Sequence, residues 1–203
     1  GPVSLTTSST GNARMDHTSA LVVAQASGHY REAVLRGNVY VAVTAATGVA
    51  PGTAIGTTAA YSLYNPAASG KRLVLLRFSL GYVSGTLGAG VVNLIGHLSP
   101  SQVAHTGTAI TPRNALIGNN STGVGLAYTT ATVPASGSIL DNLCSLGASL
   151  ASTATAPWIV SMDLGGLFVV DEGAGVSIQA TAAAGASPLV LVGLAWEETP
   201  DTA

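Results

Sequence analysis

Alternation of apolar and polar residues dominates this chain. From Leu73 to Val83, the residues Val74, Leu76, Phe78, Leu80 and Tyr82 fall on one face, and Arg77 and Ser79 on the other. Period two is the signature of a half-buried strand. Val176, Ile178 and Ala180 alternate with Ser177, Gln179 and Thr181 in the same way. Leu189 to Trp196 is apolar on both faces, as a strand buried on both sides must be. Further strands are predicted at Asn38 to Thr44, Ala59 to Tyr64, Val91 to Leu98, Gly125 to Thr132, Trp158 to Asp163 and Leu167 to Val170. Turn signals separate them: Asn65-Pro66, Ser69-Gly70, Gly88-Ala89-Gly90, Ser99-Pro100, Asn119-Asn120 and Glu172-Gly173.

Helical period is scarce. Ile139, Leu143, Leu146 and Leu150 form a partial stripe over Ser138 to Leu150, weakened by Gly147, and Gly28 to Leu35 can form about one turn. Three stretches, 37–70, 78–112 and 114–140, carry no Asp, Glu, Lys or Arg. A surface helix shows charge on its outer face, so uncharged stretches rich in Gly, Pro, Thr and Val read as strands and turns. The expected fold is all-β: an antiparallel β-sandwich, jelly-roll-like, over residues 36–203. Residues 1–35 differ, holding Arg14, Asp16, His17, His29, Arg31 and Glu32 with few periodic apolar positions before Leu21. They read as an N-terminal arm that packs on another chain or on its own sandwich.

Charge changes the picture most. Seven Lys+Arg and nine Asp+Glu make up only 8 % of the chain, against about 25 % for an average soluble domain. A surface this poor in charge is either coated with Ser, Thr and Asn or covered by neighbouring chains. The formal net charge of −2 argues against a nucleic-acid binder that works by phosphate neutralisation. A membrane span is not expected, since Gly, Ser, Thr or charge interrupts every window of about 20 residues. The start, Gly1-Pro2-Val3-Ser4, lacks the basic-then-apolar pattern of a signal peptide.

Candidate chemistry is sparse. Gly70-Lys71-Arg72 is no phosphate loop: Asn65 stands where the first glycine belongs, and Arg72 replaces the hydroxyl that would meet magnesium. Gly85-Thr86-Leu87-Gly88-Ala89-Gly90 lies between two strands, whereas a dinucleotide site needs a following helix. Cys144 is the only cysteine and reads as a small core residue between Leu143 and Ser145. His97 and His105, eight residues apart across Ser99-Pro100, make a metal pair conceivable, with no other ligand pattern to support it. The acid pairs Asp171-Glu172 and Glu197-Glu198 are adjacent, so on a strand they point to opposite faces and cannot share one catalytic task. No catalytic residue, cofactor site or metal site is expected. Asn119-Asn120-Ser121 and Asn120-Ser121-Thr122 fit glycosylation sequons of the kind short Asn/Ser loops produce by chance.

Five runs carry a resemblance. Tyr30-Arg31-Glu32-Ala33, Arg36-Gly37-Asn38-Val39-Tyr40 and Leu63-Tyr64-Asn65-Pro66-Ala67-Ala68-Ser69-Gly70-Lys71, with the closing 173–181 and Gly193-Leu194-Ala195-Trp196-Glu197-Glu198, are similar to small jelly-roll virion proteins of tailed bacteriophages. The likeness spans about residues 30–198 and rests on turn-and-strand patterns. It implies a trimeric capsid decoration or cement protein on the virion surface. Its partners would be its own copies and the major capsid protein, with neither nucleic acid nor membrane involved. The expected capsid contact is the arm around Arg14, Asp16, His17, Arg31 and Glu32, where charges would set register at an otherwise apolar contact. A receptor-binding fibre or spike head is the alternative; it should expose aromatic side chains for sugar stacking, and aromatics are only 5 % here. A glycan-active enzyme is a third reading and would need two carboxylates facing one groove.

Overall fold

The structure, a computed structural model, describes residues 29–97, 103–135, 137–146, 159–182 and 185–201. The chain divides into two units after Glu32, and the fold described below belongs to Ala33–Ala203. One short helix, α1 (Arg31–Leu35), precedes twelve strands: β1 (Val39–Val43), β2 (Thr58–Tyr64), β3 (Lys71–Ser84), β4 (Gly90–His97), β5 (Thr106–Ile110), β6 (Arg113–Asn114), β7 (Leu126–Thr132), β8 (Gly137–Leu146), β9 (Ile159–Asp163), β10 (Val169–Val170), β11 (Gly175–Ala182) and β12 (Leu189–Pro200).

These strands form two antiparallel sheets packed as a sandwich. The first runs β10-β3-β12-β1-β6, with β9 sharing the outer side of β3 with β10; the second runs β5-β7-β2-β11-β4-β8. Phe78 and Leu80 of β3 and Val192, Leu194 and Trp196 of β12 meet Tyr61, Leu63, Leu94 and Ile178 of the second sheet in one apolar core. The Tyr61 hydroxyl, at the bottom of that core, donates to the Ala42 carbonyl of β1 and so ties the sheets together.

β12 pairs on both edges, with β3 and β1, but only one of its two apolar faces is buried. Val190, Val192, Leu194 and Trp196 enter the core, while Leu189, Leu191 and Ala195 on the other face stay partly exposed. In β3 the expected alternation changes phase. Leu73 and Leu75 are fully buried, yet so are Phe78 and Leu80, and a strict period of two would send one pair outward. A bulge opposite Ala195/Trp196 inserts the extra residue that turns both pairs inward. Arg77 and Ser79 point outward, as expected.

The partial helix predicted at Ser138 to Leu150 is instead the strand β8, whose last described residue is Leu146. Leu143 and Leu146 are three residues apart and both belong to the core, the spacing that suggested a helix. Two irregularities in the β4–β8 ladder, at Val92/Asn93 and Leu94/Ile95, supply that odd spacing within a strand. β5 and β6, short and rich in Thr and exposed positions, gave no periodic signal and were not predicted.

Two buried polar side chains fasten the loops. Asn65 donates from Nδ2 to the Lys71 and Val170 carbonyls at 2.7 and 3.1 Å and accepts from the Ser69 hydroxyl at 2.8 Å. It thereby closes the turn between β2 and β3. Glu198, only 4 % exposed, is a carboxylate cradled by N–H groups. It accepts from the Val124 amide at 2.8 Å, the Gly125 amide at 3.0 Å and the Trp196 indole at 3.3 Å. The carboxylate holds the loop before β7 over the end of the core, and bonds to a charged acceptor are the strong ones. Replacing Glu198→Ala leaves three donors without their acceptor, and urea denaturation should show a loss of about 3 kcal/mol, with the m-value unchanged.

Candidate functional site

The two sheets treat their outward faces differently. In the second sheet the outward face of β2, β11 and β4 is itself covered, and what lies under the cover is polar. Register across β2, β11 and β4 places Tyr64, Gly175 and His97 in one row and Ser62, Ser177 and Ile95 in the next; Gln179 stands opposite Asn93 in a third. Ser62, Ser177, Gln179, His97 and Asn93 are all buried.

His105, just before β5, lies on this surface. Its ring centroid is 5.2 Å from that of His97, edge to face, and 5.3 Å from that of Tyr64. The ring fits because position 175 is glycine: a Cβ there would come within 2.3 Å of His105 Cε1. On the other side of His97, Gly137 leaves the same kind of room. Both imidazoles are 2 % exposed.

A hydrogen-bonded chain runs away from them. His97 Nε2 meets the Ser177 hydroxyl at 2.7 Å, Gln179 Nε2 donates to that hydroxyl at 2.9 Å, and Gln179 Oε1 accepts from the Gly56 amide at 2.8 Å. The chain therefore couples the histidine row to the loop before β2. His97 Nδ1, His105 Nδ1 and the Ser62 hydroxyl have no hydrogen-bond partner. Among the described residues no group of three or more His, Cys, Asp or Glu gathers, so the pair that the sequence made conceivable as ligands meets in space without a third donor.

Among the described residues no carboxylate joins the pair, and burial decides its protonation. Burial pushes His105 down to about 4, and the nearby His97 adds to that shift. Burial also lowers His97. Both rings are neutral at pH 7 and serve as packing groups. Cys144, half-buried against the core, has its thiol pushed up to about 11 by burial, which makes it a poor nucleophile.

The outward face of the first sheet is open. One row crosses the whole sheet: Arg113 of β6 stands beside Val41, Val41 beside Ala195, Ala195 beside Arg77, and Arg77 beside Asp163 of β9. The next row is Val43, Gly193, Ser79 and Ser161. A shallow dent of about 250 Å³ lies between Val41, Arg77, Ser79 and Gly193. The Arg77 guanidinium donates from Nε to the Ser161 hydroxyl at 2.7 Å. Farther along, Arg72 pairs with Asp171 at 3.2 Å and with Asp201 at 3.0 Å.

Of the residues expected at a capsid contact, Arg31 and Glu32 lie on α1 and are exposed. Arg14, Asp16 and His17 lie outside the described residues. Sequence reasoning missed the Ser177–Gln179–His97 chain, because its members come from β11 and β4, which lie eighty residues apart in sequence and meet only through strand order. The alternation at 176–181 did mark Ser177 and Gln179 as one face, but left that face looking solvated.

Compared with known proteins, the chain matches no family model, no curated protein and no solved structure.

Two measurements test the histidine row. In the unfolded chain both histidines titrate near ~6.5, while in the fold they resist protonation. Between about 6.5 and 4 the unfolded chain therefore binds more protons, so stability is fully present above ~6.5 and falls as the pH drops toward 4. Melting temperature against pH should show that slope, and His105→Phe should flatten it. Gly175→Ala should lower stability by about 2 kcal/mol through overpacking against His105, measured by urea denaturation at pH 7.

Proposed function

We propose that this protein is a non-enzymatic structural component of a tailed-phage virion, a homotrimeric decoration protein that binds the head shell and stabilises it. The reading rests on the likeness of the turn-and-strand runs to small jelly-roll virion proteins. It is supported by one physical observation: a rigid antiparallel sandwich leaves large aliphatic side chains in water while only 8 % of its residues are charged. Ile117 is 94 % exposed, Ile159 81 % and Leu167 75 %. Exposed aliphatic side chains at strand edges are available to pack against a neighbour, and obligate contacts between copies are large and apolar.

On this reading the sandwich is the rigid body and the arm is the tether. Three arms per trimer would each make a modest contact with capsid subunits, and each contact would raise the effective concentration of the next. The arm residues Arg14, Asp16, His17, Arg31 and Glu32 would set the register of that contact by charge. The protein would bridge neighbouring capsid subunits without chemistry of its own, so it needs no cofactor.

Sedimentation and native mass measurement at micromolar concentration should give three copies of the 20.0 kDa chain; a monomer would overturn the reading. Removing residues 1–30 should leave the trimer intact and abolish its binding to phage heads. A truncated protein that still coats heads would overturn the assignment of the arm.

A further inference from the structure

The first sheet ends in two open edges, and the two differ in charge. One edge is β9 and β10. Among the described residues each pairs only with β3, which leaves its other side as a strand edge. This edge carries Ile159, Leu167 and Val169, which are 81 %, 75 % and 52 % exposed, with Asp163 exposed among them. Just beyond it, Arg72 is shared by Asp171 and Asp201, one positive charge against two negative. Asp163 itself accepts from the Gly165 amide and stands beside Arg77, and Lys71 adjoins Arg72. Asp163, Asp171, Glu172 and Asp201 thus outnumber Lys71, Arg72 and Arg77 by one charge, and the edge is aliphatic and weakly acidic.

The opposite edge is β6 with the uncovered end of β1. It carries exposed Arg113, the half-exposed Val43, and Ile117 in the turn after β6. Arg36 is exposed just before Gly37, whose carbonyl accepts from Asn114 of β6. That edge is aliphatic and basic. Arg113 and Asp163 occupy the two ends of the same cross-sheet row.

We infer that the two edges of the first sheet dock onto each other between copies of this chain, the weakly acidic β9–β10 edge of one copy against the basic β6 edge of the next. Three features favour a second copy over an unrelated partner. An open, aliphatic strand edge is a pairing surface that a solitary protein would have to blunt. The complementary charges sit at matching heights, at opposite ends of one row. Two different edges meeting head to tail make a heterologous contact, which closes into a ring when each copy is rotated by the same angle. That is the kind of contact a cyclic trimer uses, so the inference rests on the proposed assembly and names its interface.

Charge exchange separates the two claims. Sedimentation velocity over a range of concentrations would be run on the unaltered protein, Arg113→Asp, Asp163→Arg and the double variant, with circular dichroism confirming the fold of each. We expect each single reversal to set like charges against each other and weaken association at least ~tenfold. The double variant restores the pairing and should associate nearly as well as the unaltered protein. Ile159→Ser with Leu167→Ser should also dissociate the assembly. If the unaltered protein assembles and none of these variants weakens it, the edges are not the interface and this inference falls while the trimer stands. Loss in both single variants without recovery in the folded double variant also overturns the pairing. If the unaltered protein is monomeric, both claims fall.

Discussion

The pairing of β3 with β12 is the constraint on which the rest of this fold depends. Twelve residue pairs join the two strands, from Leu189 beside Ser84 to Pro200 beside Lys71. The bulge near Trp196 lets Leu73, Leu75, Phe78 and Leu80 all reach the core, although no regular strand could bury both pairs. Because β12 also fixes β1, and β3 also fixes β9 and β10, the same ladder sets the heights of every outward row on the first sheet. Moving it by one residue would expose Trp196 and bury Arg77. Core packing and the layout of surface charge are thus two consequences of one register.

The second sheet solves a different problem. Its outward face over β2, β11 and β4 is covered, and a covered face must either be apolar or satisfy its polar groups internally. Here most of them are satisfied through Ser177, Gln179 and the Gly56 backbone. The three atoms left without partners, on His97, His105 and Ser62, lie on this same face. Neutral imidazole tolerates such a setting far better than imidazolium, so the row is stable near neutrality and weak in acid. The cover depends on glycine at 175 as much as on the histidines, since any side chain there would occupy the place of the His105 ring.

Much of the architecture could be read from the chain itself. Alternation at 73–83 and 176–181, and the apolar run at 189–196, announced three strands that became β3, β11 and β12. Apolar runs between turn signals announced β1, β2, β4, β7, β9 and β10 as well, while bulges hid the phase of β3 and the strand β8. In β3 the bulge reversed which residues face inward at Leu73 and Leu75, and in β8 two irregularities made Leu143 and Leu146 resemble a helical stripe. Neither can be found from period alone, because an inserted residue is visible only against its partner strand. The histidine row was illegible for a related reason: His97 and His105 are brought together by strand order, and their proximity requires a glycine seventy residues away at position 175.

Scarcity of charge gains meaning from where the charges stand. On the first sheet Arg36 and Arg113 stand at one open edge and Asp163, Asp171 and Asp201 at the other, where Arg72 pairs with two of these acids and Arg77 stands beside the third. In water such an arrangement contributes little, since exposed charges on opposite sides of a domain are screened from each other over about 8–10 Å. It contributes to folding even less, because the two groups are separated by the full width of the sheet. Placement of this kind acts between molecules: it orients the approach of one copy to the next and penalises the reversed arrangement. The exposed isoleucines and leucine at those same edges then supply the attraction that a few charges cannot. A chain with so few ionised groups can direct its own assembly if those it has are placed at the ends of a row, and the β3–β12 register puts them there.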